Sequence, residues 1–267
     1  MQSRDADEIS GITASVINKD IYYVHNDSGD TSRFFAIKPS GELVSTINYS
    51  WGKRTVDEED CEDIATGPGP VKGKSYVYIA DIGDNASRAE AVSVHRVMER
   101  TSFATEKTVF ALNQPVYLQY PDGPKDAETL MIDPVDRLMY IVTKRRDSVT
   151  VYTTTLKYKV GDTVMLTKRC RLFFDGIKPF KWITGGDISK DGQQVLLKSY
   201  QKVYYWQRKD NEPIWETLKR KPKELPYKQE RIGEAIGFTA DGKGYLTTSE
   251  GVFAPIYYYK TPGYFGL

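Results

Sequence analysis

Asp126-Ala127-Glu128-Thr129-Leu130 is a motif with echoes. Asp60-Cys61-Glu62-Asp63-Ile64 precedes it and Gly233-Glu234-Ala235-Ile236 follows, with looser copies at Asp5-Ala6-Asp7-Glu8-Ile9 and Gly185-Gly186-Asp187-Ile188. If Glu8, Glu62, Glu128, Asp187 and Glu234 are equivalent, the motif returns roughly every 45 to 65 residues, the period of propellers and other stacked-repeat folds.

Between the echoes the chain reads strand after strand. Behind the first comes Ile21–His25, a turn at Asn26-Asp27-Ser28-Gly29-Asp30, Arg33–Ile37, a turn at Pro39-Ser40-Gly41, and Leu43–Tyr49. Short aromatic and β-branched runs punctuated by Gly, Pro, Asn and Asp are the pattern of antiparallel strands and turns. The second copy continues through Tyr76–Ala80, Val92–Val97, Thr108–Leu112 and Val116–Tyr120; the third through Leu138–Thr143, a turn at Arg145-Arg146-Asp147-Ser148, Val149–Thr154 and Val164–Phe174. The fourth and fifth are shorter and less regular, with a Lys- and Pro-rich stretch up to Gln229. The order of acidic motif, apolar strand, polar turn, aromatic strand and outer strand predicts an all-β, five-bladed β-propeller of four-stranded antiparallel blades, one domain over residues 1–267, with a six-bladed ring as the alternative. The last copy lacks a clear fourth strand, so the segment 262–267 is a candidate for closing the ring. A two-sheet sandwich accommodates the strands but leaves the repeated acid unexplained.

Composition agrees with a large β domain. The 267 residues are 40% hydrophobic and include 19 tyrosines, which favour strands. The formal charge is +1 with basic residues scattered, which argues against a nucleic-acid footprint. The densest cluster, Lys219-Arg220-Lys221, reads as a solvated loop. No apolar run approaches the ~20 residues of a membrane span. Cys61 and Cys170 fall on an inner and an outer strand of successive blades, which disfavours a disulfide.

In a propeller the first strand of each blade lines a central channel, so matching carboxylates face one another. Such a ring cannot ionise without compensation, because each charge raises the pKa of its neighbours. A Ca²⁺ ion is the predicted partner, held by Glu8, Glu62, Glu128, Asp187 and Glu234, since calcium accepts six to eight oxygen ligands in flexible geometry. At the first motif Asp7 competes with Glu8 for the inward position. The rival reading is a ring neutralised by Lys144 and Lys198 without metal. His25 and His95, the only histidines, support neither a zinc site nor a Ser-His-Asp arrangement. Arg33, Arg88, Arg145 and Arg146 lie in or beside polar turns, where an anion could meet them, and Trp182 stands at the entry to an inner strand.

His25-Asn26-Asp27-Ser28-Gly29-Asp30, Asp81-Ile82-Gly83-Asp84-Asn85 and Tyr120-Pro121-Asp122-Gly123-Pro124-Lys125-Asp126-Ala127-Glu128 resemble motifs of a group of mostly uncharacterised, often secreted β-propeller proteins. More distantly, the acidic ring is similar to that of the calcium-dependent propeller hydrolases, the apyrases and the phosphotriesterase and lactonase propellers. The resemblance implies an extracellular or periplasmic monomer that binds a small molecule or a protein at the channel mouth, either as a metal-dependent hydrolase of phosphate or ester substrates or as a non-catalytic binding propeller. Only Glu62, Glu128 and Glu234 match the hydrolase ring cleanly.

Overall fold

The computed structural model describes residues 1–51, 54–55, 60–144 and 148–262. Five sheets stand around a channel as the blades of a five-bladed propeller, each entered through its innermost strand: Ile9–Ala14, Cys61–Pro68, Ala127–Asp133, Ile183–Ile188 and Gly233–Phe238. These strands are almost wholly buried, because blades press on both sides of them. The predicted turn Arg145-Arg146-Asp147 lies outside the described residues, as do residues 263–267 of the closing segment.

The blades are less uniform than a four-stranded repeat predicts. Among the described residues the sheets hold six, five, four, four and three strands. Two outer strands also belong to a different blade from the one the sequence order suggests. Thr108–Leu112 pairs in parallel with Leu43–Trp51 and widens blade 1, although it follows the third strand of blade 2. The anchor is Phe103, in the 3-10 turn Thr101–Ala104, whose ring meets Tyr23 and Phe34 edge-on inside blade 1. Having docked there, the chain runs along the blade 1 edge with Val109 and Ala111 buried. Thr163–Met165 likewise lies parallel to Val116–Gln119 in blade 2, and Thr167–Leu172 alone completes blade 3. In blade 4 the Lys- and Pro-rich stretch makes a short helix, Ile214–Thr217, and an outer strand, Lys223–Leu225.

Neighbouring inner strands approach without pairing, so side chains bond their free backbone groups. Leu130 N–H donates to Asp63 (2.9 Å), Phe238 N–H donates to Asp187 (2.9 Å), and Thr66 donates to the Ala14 carbonyl (2.8 Å). Between blades 3 and 4, the fully buried Arg208 forks onto Asp133 (2.8 and 3.1 Å) and reaches Asp136 (2.8 Å). Cys61 and Cys170 are in different sheets and unbonded to each other.

The ring closes by packing between blades 5 and 1. Ala235 and Leu246 join Met1, Ala6, Ile12, Val24 and Phe35 in one core, and Gly251 N–H donates to the Asp7 carbonyl (2.6 Å). The outer strand of blade 5, Tyr257–Lys260, stays half exposed, with Tyr258 turned to solvent. Gly237 permits the closure, since a Cβ there would collide with the Ile12 carbonyl oxygen on the neighbouring inner strand. Gly237→Ala is expected to destabilise the fold by about 1–3 kcal/mol, the usual cost of overpacking. A urea melt that left the midpoint unchanged would show that blades 5 and 1 do not meet this closely.

Candidate functional site

Every inner strand carries the same irregularity near its start. Its register against the second strand shifts between Ile9 and Gly11, Cys61 and Asp63, Ala127 and Thr129, Ile183 and Gly185, and Gly233 and Ala235. A β-bulge of this kind turns the extra side chain out of the regular alternation. The extra residues are Ser10, Glu62, Glu128, Thr184 and Glu234. Three blades thus place a glutamate at the channel mouth, and two place a hydroxyl there. Ser10 donates to the Cys61 carbonyl of blade 2 (3.1 Å), and Thr184 to the Glu234 carbonyl of blade 5 (3.5 Å).

Glu62, Glu128 and Glu234 therefore occupy matching positions, as the echo predicts. Glu8 and Asp187 occupy other positions. Glu8 stands one residue before its inner strand, in the place of Asp60, Asp126 and Trp182; the carbonyls of Glu8, Asp60 and Asp126 accept equivalent bonds from Asp27, Gly83 and Lys144. Asp187 lies three residues beyond the bulge, deeper in the channel. Both its oxygens accept backbone N–H groups, from Ile188 and Phe238. The alignment on acidic residue type put these two in register; strand pairing does not.

Turns add acids that the echo missed. Three overlapping groups have carboxylate oxygens within 4.8 Å of one another: Asp27, Glu234 and Glu250; Asp27, Asp60 and Glu62; and Glu62, Asp126 and Glu128. Asp27 and Glu250 sit just past the ends of second strands, at the same level as Lys144 and Tyr200. The signal in sequence was weak but present: Asp60 and Asp126 open two of the motifs, and Asp27 belongs to the first turn. Gly83 makes room, since a Cβ there would run into Asp60 and lie 2.5 Å from Glu62 Oε1.

Among the described residues one ammonium group enters this set. Lys144 ion-pairs with Glu128 and stands 3.8 Å from Glu234 Oε1, which also accepts a hydrogen bond from the Tyr200 hydroxyl (2.6 Å). Burial lowers the Lys144 pKa, but Glu128 and Glu234 outweigh it and hold the group charged. Lys198, the other predicted neutraliser, is turned away. Its ammonium bonds the carbonyls of Gly233 and Ser199 and lies over the Tyr227 ring (4.7 Å), and burial lowers its pKa to about 8.

Among the described residues one lysine stands against seven carboxylates. Burial, aided by Glu234, raises Glu128 to about 8 despite Lys144. Burial, then Glu128 and Asp27, raises Glu62 well above the ordinary carboxylate range. Glu250 rises to about 7 and Asp27 to about 6, again through burial first and Glu234 among their neighbours. Glu128 is 1% exposed, and its carboxyl group meets the Lys144 ammonium and the Glu62 carboxyl group. The histidines take no part: His25 is pushed down to about 4 by burial and held by the Asn26 carbonyl, and His95 bonds Ser93 and Asn113 within blade 2.

No protein-family model matches the chain, and no curated protein sequence is significantly similar to it. Solved structures that resemble it are β-propellers. A 6-phosphogluconolactonase-like protein from Bacteroides uniformis shares 12% identity at TM-score 0.45, over 97% of this chain and 69% of the other. The propeller in a nidogen/laminin complex shares 15% at TM-score 0.46, over 91% and 73%. The Dos1 propeller shares 12% at TM-score 0.41; 94% of this chain is covered, but only 56% of Dos1. Among the described residues no helix is long and apolar enough to cross a membrane.

The raised carboxylates set a direction for stability against pH. Between about pH 4.5 and pH 8 the folded protein keeps a proton on Glu128 that the unfolded chain has released, and the raised Glu62 acts in the same direction. Stability is full below that window and falls as pH rises through it. In chelator, the urea midpoint is expected to be lower near pH 8 than near pH 5, with a smaller drop in Glu128→Gln. Equal midpoints in the wild-type protein would contradict the burial of these acids.

Proposed function

We propose that this chain is a calcium-binding β-propeller whose channel mouth is its functional site, with Glu62, Glu128 and Glu234 as the inner ligands and Asp27, Asp60 and Asp126 as the outer ones. The observation that carries the reading is Glu128: a buried carboxylate packed against Glu62 and Asp126, inside an acidic set that among the described residues has one lysine to balance it. Oxygen-only donors on several separate elements suit a large, hard cation of flexible geometry, and suit magnesium, with its strict octahedron, less well. Asp187 and Glu8 are left out of the ligand set on their positions.

Asp27 and Asp60 are only partly buried, so the site faces the mouth and leaves a side open for a small molecule. That openness favours hydrolysis of a phosphate or ester over a closed structural ion. A calcium ion there would supply polarisation of a phosphoryl or ester oxygen. Tyr200 orients Glu234 through its hydroxyl, and Lys144 supplies a fixed positive charge beside Glu128. An extracellular or periplasmic location suits calcium at millimolar concentration and belongs to the same proposal.

The Lys144–Glu128 ion pair favours a second reading, a salt-bridged plug with the propeller acting as a binding module. The two separate by experiment. On the first reading calcium raises the melting temperature and chelator lowers it, while Lys144→Met removes the competing ammonium and tightens calcium binding in a calorimetric titration. On the second, calcium changes nothing and Lys144→Met destabilises the protein in its presence. Absence of any calcium heat in the wild-type protein would overturn the first reading.

A further inference from the structure

The inner strands end at the opposite face of the propeller, where Thr66, Gly67, Pro68, Ile132, Ile188 and Lys190 border a cleft of about 260 Å³. Its walls are mainly apolar, and Val16 and Ile17 at its rim are 48% and 47% exposed. Lys190 is the unusual member. Its ammonium bonds two hydroxyls, those of Thr66 and Thr13 (3.4 Å), and among the described residues no carboxylate lies within ion-pair distance of it.

The acids that face it are otherwise engaged. Asp187 accepts two backbone N–H groups, and Glu99 accepts bonds from Ser15, Tyr23 (3.0 Å), Ser75 and the Val16 N–H (3.1 Å). They still act on the amine at a distance: burial lowers its pKa, and Asp187 and Glu99 oppose that shift. The same two acids set the charge of what the cleft can take. A carboxylate ligand would approach Lys190 with Asp187 and Glu99 behind it, and a cation would meet the ammonium and the apolar walls. A small uncharged molecule meets neither obstacle. A lysine amine freed of its proton in an apolar setting is a nucleophile toward carbonyl carbon.

We propose that Lys190 is a reactive amine and that this lower cleft binds small, uncharged, apolar carbonyl compounds, aldehydes above all, as an imine. The Nζ lone pair forms a bond to the carbonyl carbon, and the C=O π pair moves to oxygen, which takes up a proton. Loss of the nitrogen's protons and of the hydroxyl as water leaves C=N, so amine plus aldehyde gives imine plus one water with no oxidant or reductant consumed. The site is separate from the acidic mouth and stands whether or not calcium binds there.

The test is reductive trapping. The intact protein is incubated with butanal and cyanoborohydride at neutral pH, and its peptides are mapped by mass spectrometry over time. Lys190 should be alkylated about tenfold or more faster than exposed lysines such as Lys19 and Lys243, because a desolvated amine in an apolar cleft is a better nucleophile than a hydrated ammonium. Excess butyrate should leave that rate unchanged, and Lys190→Arg should lose the fast site while keeping the slow ones. Labelling of Lys190 no faster than the surface lysines in the wild-type protein overturns the proposal, whether or not the variant folds. Protection by butyrate overturns the choice of an uncharged ligand.

Discussion

The structure turns on one constraint repeated around an axis: a bulge near the start of each inner strand that aims a side chain into the channel mouth. The blades close tightly enough to bury what is aimed there. Where that residue is Ser10 or Thr184, the hydroxyl finds a carbonyl on a neighbouring inner strand and the geometry costs nothing. Where it is Glu62, Glu128 or Glu234, the fold places like charges together out of water, which opposes folding unless protons or a cation intervene. Three of five blades accept that strain.

Among the described residues Lys144 is the resident answer, and it is partial. It pairs with Glu128 and reaches Glu234, yet Glu62 and Glu128 still hold protons far above their ordinary range, and the rim acids Asp27 and Glu250 follow them. Replacing a buried acid by a neutral residue would serve stability better, as it generally does for buried charge. The arrangement makes physical sense as a site that trades protons and an ammonium for a divalent ion. Away from this mouth the channel is quieter. Asp63 and Asp187 spend their oxygens on backbone N–H groups between blades, and the far end opens into the apolar cleft around Lys190.

Much of this was legible in the sequence, and the rest was hidden for identifiable reasons. Asp126-Ala127-Glu128 and its echoes carry the blade period, so the five-bladed ring follows from them, and three of the copies give mouth glutamates directly. Glu8 and Asp187 do not, because the motif was aligned on acidic side chains while the true register is set by the bulge, and there the matching residues are Ser10 and Thr184. Thr108–Leu112 reads as a strand but joins blade 1, because Phe103 docks between Tyr23 and Phe34; no local pattern announces a long-range contact of that kind. Asp27 and Glu250 come together only when the turns of different blades meet, so the first turn offers Asp27 as a candidate without revealing its partners.

Crystals soaked in a lanthanide that substitutes for calcium, measured at its absorption edge, address the central claim most directly. The account predicts a strong anomalous peak at the channel mouth within coordinating distance of Glu62, Glu128 and Glu234, with the Lys144 ammonium moved away from Glu128. A mouth with no peak and Lys144 still paired to Glu128, in crystals whose surface acids bind the same ion, would contradict it.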